Sequence, residues 1–287
     1  MRESRVSKWR EEIIGDCRLI LGDALEVMPT LGKVDAVVTS PPYDEMRDYG
    51  DSFTGFNWSS YIIPITKAVN DGGILVWNVA DQTIKGSESG NSMRQALAFI
   101  DAGMRLHDTM IYSKPSFSFP ETNRYPQTWE YMFVFSNGAP KTFNAIKDRK
   151  NIYSGTLVRG TQRQVDGSTK PASGNGKILS EYGARHNVWM INNRENDFAG
   201  GHPAPFPLSL AADHITSWTN MGDIACDPFM GSGTTGVACA KMGRKFIGVE
   251  LEEKYFDIAV RRIEDAYKQP DMFVEAPKPQ VQEAMEL

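Results

Sequence analysis

The sequence predicts an α/β fold with a mostly parallel sheet covered by helices on both faces, and three observations carry that prediction. Apolar runs of strand length recur along the chain, and amphipathic stretches lie between them. The runs are near-continuous rather than alternating, as strands buried on both faces require. With 287 residues, 41% of them hydrophobic, the chain is long enough for one large domain carrying an insertion.

The elements follow in order. Seven runs read as strands: CRLILG (17–22), VDAVVTS (34–40), GILVWNV (73–79), RLHDTMIY (105–112), WEYMFVFS (129–136), DIACDPF (223–229) and KFIGVEL (245–251). Five read as helices: WSSYIIPITKAV (58–69), SMRQALAFIDAG (92–103), PLSLAADHITSW (207–218), TTGVACAKMG (234–243) and EEKYFDIAVRRIEDAYK (252–268). Ser92 stands where an N-cap belongs, and Gly103 and Gly243 stand where helices end. The rhythm breaks between about 114 and 187, where Ser, Gly, Asn and Lys dominate; a structureless loop of that length is unusual inside a compact domain, so an insertion is expected. The segments are therefore 1–113, an insertion at 114–190, 191–268 completing the first domain, and a flexible tail at 269–287.

Composition excludes several classes. No run reaches the roughly 18 apolar residues of a membrane span, and the charged start MRESRVSKWREE is unlike a signal peptide, so a cytoplasmic protein without membrane association is expected. Cys17, Cys226 and Cys239 form no CxxC pair, and His107, His186, His202 and His214 have no ligand spacing, so no metal is expected. The net charge of −5 conceals an asymmetry: residues 141–194 hold ten Lys or Arg against three acids, a net of +7, leaving −12 for the remainder. A basic segment on an acidic chain fits a solvated insertion or a surface for a phosphate backbone.

Two motifs carry chemistry. In DPFMGSGTTGVACAKMGRKFIGVE, Gly231, Gly233 and Gly236 satisfy GxGxxG, and Glu250 follows at about the 20-residue spacing of a ribose-binding carboxylate. Asp227 argues against a dinucleotide, since it sets a negative charge beside the helix N-terminus where a pyrophosphate would sit. A cofactor with an amine and a sulfonium, such as S-adenosylmethionine, suits it instead. In TSPPY (39–43), Pro41 and Pro42 hold the backbone extended with free carbonyls, Ser40 adds an oxygen and Tyr43 a flat ring. These groups can hold an exocyclic amine between two acceptors while the ring stacks on its heterocycle. A Pro-Pro turn that merely ends a strand is the plainer reading.

Together, TSPPY and DPFMGSGTT resemble the amino-methylating DNA methyltransferases in which the catalytic motif precedes the cofactor motif, the β group, over roughly 17–265. The resemblance implies the Rossmann-like S-adenosylmethionine-dependent methyltransferase fold with a seven-stranded sheet and 114–190 as target-recognition region. It implies that Ser40, Pro41 and Pro42 hold the target amine and that Tyr43 stacks on a flipped base. Asp23, Thr39, His202, Phe206, Asp227, Phe229, Gly231, Ser232, Gly233, Thr234 and Glu250 would surround the cofactor. Arg47, Arg124, Lys147, Arg149, Lys150, Arg159, Arg163 and Arg185 would contact double-stranded DNA. Ser at the first motif position resembles the cytosine-N4 members, and Asp the adenine-N6 ones, which remain the alternative. A bacterial or phage-encoded, nucleoid-associated enzyme, a homodimer and a companion restriction endonuclease are all compatible with this group. A protein or RNA amino-methyltransferase, a nicotinamide-dependent dehydrogenase and a silent DNA-binding module are the other readings.

Overall fold

The computed structural model describes residues 8–42, 56–115, 123–192 and 207–268. Its strands are β1 (Arg10–Ile14), β2 (Cys17–Leu21), β3 (Val34–Thr39), β4 (Val69–Val79), β5 (Thr83–Ile84), β6 (Ser87–Glu88), β7 (Arg105–Ser113), β8 (Trp129–Ser136), β9 (Arg149–Lys150), β10 (Thr161–Arg163), β11 (Thr169–Pro171), β12 (Tyr182–Gly183), β13 (Val188–Met190), β14 (Ile224–Asp227) and β15 (Lys245–Glu250). Its helices are α1 (Ala24–Val27), α2 (Ser59–Ala68), α3 (Asn91–Asp101), α4 (Leu208–Trp218), α5 (Thr234–Met242) and α6 (Glu253–Lys268).

Nine strands form one sheet in the order β1-β2-β15-β14-β3-β4-β8-β7-β13. Five neighbouring pairs are parallel, from β2 through β15, β14 and β3 to β4, and again β7 with β13. The pairs β1–β2, β4–β8 and β8–β7 are antiparallel. All seven expected strands lie in this sheet. The two additions sit at its edges, where the sequence signal is weak: β1 is the charged, half-exposed REEII, and β13 spans three residues, too few to show a period.

The central strands are buried on both faces, as their unbroken apolar runs demand. One core cluster joins the sheet to α4, α5 and α6 through Leu210, Ile215, Val237, Phe256 and Ile263. The other joins it to α1, α2 and α3 through Val27, Ile62, Ile65 and Phe99. Helices thus cover both faces. Gly103 (φ +98°) and Gly243 (φ +67°) follow α3 and α5 as expected. Ser92 is not a cap: Gly90 (φ +66°) occupies that position, and the buried Ser92 N–H donates to Asp81 Oδ1.

Residues 149–183 form a long antiparallel arm. It is held by β9–β12, by a bridge between Leu157 and Ile178, and by β10–β11 near its tip. Most of its residues are exposed, Asn151 being buried. Because β8 runs against β4 while β13 runs with β7, the arm leaves and rejoins the sheet on the rim of the parallel strands' amino ends. Asn144 fixes it there, its amide bonded to the Thr216 and Thr219 carbonyls at the end of α4.

Candidate active site

Strands β2, β15, β14 and β3 are parallel neighbours, so Leu21, Glu250, Asp227 and Thr39 finish on one rim. From β14 the chain passes through α5 to β15 on one side, while β3 leads through α2 to β4 on the other. The crevice between β14 and β3 is therefore the switch point at which open parallel sheets bind ligands. A pocket opens there, lined by Ser40, Pro41 and Pro42 together with Asp23, Phe229, Gly231 and Glu250. The Ser-Pro-Pro strand end and the glycine turn share one pocket.

The turn depends on its glycines. Gly231 and Gly233 adopt φ of +50° and +79°, and a Cβ on Gly233 would lie 2.8 Å from the Ala259 Cβ. Gly236 lets α5 approach its neighbours: a Cβ there would lie 2.5 Å from Ile263 Cδ1. Glu250 fastens the turn to β15, its Oε2 accepting from Gly231 N at 2.8 Å and its Oε1 from Glu252 N at 2.8 Å. Burial pushes its carboxyl up to about 7 against those hydrogen bonds. Asp23 caps α1, accepting from Leu25 N at 2.8 Å, and also accepts from Tyr61 OH at 3.4 Å. Burial, followed by the Asp23 charge, raises the Tyr61 phenol to about 12. The rings of Tyr61 and Phe229 meet edge to face with centroids 5.0 Å apart.

Several residues assigned to the cofactor by resemblance lie beneath the pocket surface. Asp227 Oδ1 accepts from Thr39 Oγ1 at 2.6 Å and from Phe229 N at 3.1 Å, while Oδ2 accepts from Thr235 Oγ1 at 2.9 Å. Both Thr39 and Asp227 are buried. Burial raises the Asp227 carboxyl to about 6 despite these donors. Ser232 and Thr234, also buried, face α6, where Arg262 Nη1 donates to the Ser232 carbonyl (2.6 Å), to Ser232 Oγ (2.8 Å) and to Thr234 Oγ1 (3.2 Å). Nothing in the sequence marks this contact, since Arg262 reads as one more charge on an amphipathic helix. Gly22, Tyr61, Leu251 and Tyr255 also line the pocket and were not singled out. The cue for Tyr255 was its place in the first turn after Glu250; Tyr61 passed for an apolar helix residue.

The basic candidates divide. Lys147, Arg149, Lys150, Arg159 and Arg163 are exposed on or beside the arm, with Arg149 Nε donating to the Ala184 carbonyl. Arg185 is half-buried, bonded to Asp148 and Asp213, with its guanidinium 5.1 Å from the Trp189 ring centroid. Arg124 grips the β5–β6 hairpin through Thr83 Oγ1 at 3.2 Å and the Gly86 carbonyl. Both were expected to contact DNA, and in the folded chain each already has protein partners. Tyr43, Arg47, His202, Phe206 and the tail 269–287 lie outside the described residues. Among the described residues no cluster of His, Cys, Asp or Glu could hold a metal.

The donor set suits a cationic nucleoside cofactor. Among the described residues, the charged side chains lining the pocket are the acids Asp23 and Glu250, and Gly231 N, which would otherwise face a phosphate, is bonded to Glu250. A mixed, mostly parallel α/β sheet with such a pocket beside a Ser-Pro-Pro strand end is consistent with a methyltransferase-like fold. The chain belongs to the N6_N4_Mtase family, described as DNA methylase, which matches residues 34–261. It is thus an S-adenosylmethionine-dependent methyltransferase of DNA amino groups at the level of that family. The orphan methyltransferase M.BamHII of Bacillus amyloliquefaciens is 45% identical over 262 residues, 89% of this chain and 92% of its own. M1.HpyAVI, solved as a complex with S-adenosylmethionine, shares 25% identity with a TM-score of 0.57, over 86% of this chain and 99% of that one. The cytosine-N4-specific PvuII DNA methyltransferase shares the fold, with a TM-score of 0.62 at 21% identity over 89% of this chain and 93% of that one.

Proposed function

We propose that the protein transfers the methyl group of S-adenosylmethionine to the N4 amine of a flipped cytosine in double-stranded DNA. The observation that carries this reading is the common pocket of Ser40, Pro41 and Pro42 with Phe229, Gly231 and Glu250. S-adenosylmethionine, when bound, supplies a methyl group already activated on sulfur. Glu250 and Asp23 hold its ribose and adenine end, with Phe229 and Tyr61 as apolar walls. The amine of a nucleobase is a poor nucleophile, since its lone pair is delocalised into the ring. Ser40 Oγ and the Pro41 carbonyl accept its two N–H groups and turn the lone pair toward the methyl carbon, and Tyr43 stacks on the extruded ring. Catalysis is then chiefly alignment in a site that excludes water. Flipping costs a few kcal/mol, and stacking on one ring returns about 1–3 kcal/mol.

The choice of cytosine rests on Ser40: its neutral hydroxyl is a weaker acceptor than the Asp of adenine-N6 members. The exposed lysines and arginines of the arm supply phosphate contacts. Incubation with labelled S-adenosylmethionine and duplex DNA, followed by digestion to nucleosides, tests both parts. Label in N4-methylcytosine supports the full reading, label in N6-methyladenine overturns the base assignment, and unlabelled DNA overturns the activity.

A further inference from the structure

We propose that Asp227 is a positioning residue: through the Thr39 hydroxyl and the Phe229 N–H, both on its Oδ1, it sets the distance between the groups that hold the target amine and the turn that holds the methyl donor. The inference rests on the reading proposed above.

Three elements converge on this one carboxylate. Thr39 ends β3 and immediately precedes Ser40; Phe229 follows β14 and lines the pocket; Thr235 belongs to the first turn of α5. The paired register of β3 with β14 ends at Val37 and Cys226. Beyond it the strands part to open the crevice, and the acceptor end and the donor end would otherwise be free to separate. The bonds from Thr39 Oγ1 (2.6 Å) and Phe229 N (3.1 Å) to the same oxygen tie them just past that point. Oδ2 anchors the pair to α5 through Thr235 Oγ1 at 2.9 Å, and that hydroxyl lies 3.4 Å from the Val38 carbonyl, which leads back to β3. A carboxylate is suited to this post because it accepts in several directions and donates in none. The arrangement also answers why the residue before Ser40 carries a hydroxyl on a strand whose other buried residues are valine and alanine: it is the donor of the clasp.

A clasp and a cofactor contact predict different kinetics. If Asp227 ties the two halves together, removing the Thr39 hydroxyl leaves each half able to bind its ligand but misaligned with the other. Misplacement by about 1 Å costs up to about 100-fold in rate. Thr39→Val should therefore lower the single-turnover rate of methyl transfer by about 10- to 100-fold, with the Kd for S-adenosylmethionine and for DNA within about threefold of wild type. Thr39→Ser, which restores the donor, should recover most of the rate. A Thr39→Val protein with an unchanged rate, a matching loss of cofactor affinity, or an equally impaired Thr39→Ser protein overturns the proposal.

Asp227→Asn gives a second, independent measurement should Thr39→Val fold poorly. Its amide oxygen can still accept from Thr39 and Phe229, and its NH2 can donate to the Thr235 hydroxyl. The clasp predicts cofactor affinity within about threefold of wild type, whereas a charge partner for the cofactor amine predicts a loss of about tenfold or more, which would overturn the clasp. Failure of the wild type to methylate DNA sinks the underlying reading. Wild-type transfer with an undisturbed Thr39→Val protein sinks only the clasp.

Discussion

The pocket rim and the basic arm are built on opposite principles. At the rim, Thr39, Pro41, Asp227 and Glu250 are buried, and the bonds of Asp227 and Glu250 fix where strands end. Along the arm, Arg159, Arg163, Val165 and Lys170 are exposed, and the ribbon is held mainly by its own backbone bonds and turns. One region is specified by packing, so a change of one atom propagates. The other is specified by local turns and charge, so its side chains are replaceable without disturbing the fold. The two are also rooted on different rims of the sheet.

The largest effect is expected at the rim. Ser40→Ala removes an acceptor for the target amine and should lower the single-turnover rate about 100-fold or more while cofactor affinity and unfolding midpoint hold, a split read by stopped-time transfer assays and calorimetry. Gly233→Ala comes next. It forces a side chain into φ +79° and within 2.8 Å of Ala259, so a loss of about 2–4 kcal/mol of stability is expected in urea titration. If either substitution proves as mild as an arm variant, the contrast between the regions fails.

That contrast also explains what was legible beforehand. The seven strands were readable because burial on both faces leaves unbroken apolar runs, and α5 was readable from Gly233 before it and Gly243 after it. The shared pocket followed from strand ends and glycines, since their rim is fixed by topology. The inward turn of Asp227 was not readable, because its three donors come from positions 39, 229 and 235, and only the folded register brings Thr39 to it. The partners of Arg185 and Arg124 were hidden for the same reason: a sequence shows a charge but not the Asp213 carboxylate or the Gly86 carbonyl bonded to it. Edge strand β13 and the arm carry too few buried residues to leave a period.

A smaller effect is expected from pH at Glu250. Glu250 is raised from 4.5 to about 7 in the folded protein by burial, so the native state binds more protons between those values. Its contribution to stability is therefore greatest below about 4.5 and declines as pH rises through about 7. Binding of the ribose hydroxyls favours the ionised form, so S-adenosylmethionine should bind about two- to fivefold more tightly at pH 8 than at pH 6. Glu250→Gln should flatten that dependence in calorimetry at the two pH values. A flat wild-type profile would place the ribose elsewhere.

The smallest effect on the folded domain is expected from the arm. Reversing Arg159 and Arg163 to Glu leaves no buried partner behind, since both side chains are exposed. The urea midpoint should correspond to a change within about 0.5 kcal/mol, and cofactor affinity should not move. DNA binding should respond differently. If each arginine neutralises one phosphate, the slope of log affinity against log salt should flatten by roughly 2, at about 0.9 per lost contact. Substituting the two one at a time should divide that change about equally, because phosphate contacts well apart on a ribbon act independently. A double reversal that leaves the salt slope intact would move the duplex off the arm and onto the rim alone. One that unfolds the domain would show that the ribbon is packed as the strands are, and would erase the distinction from which these expectations were drawn.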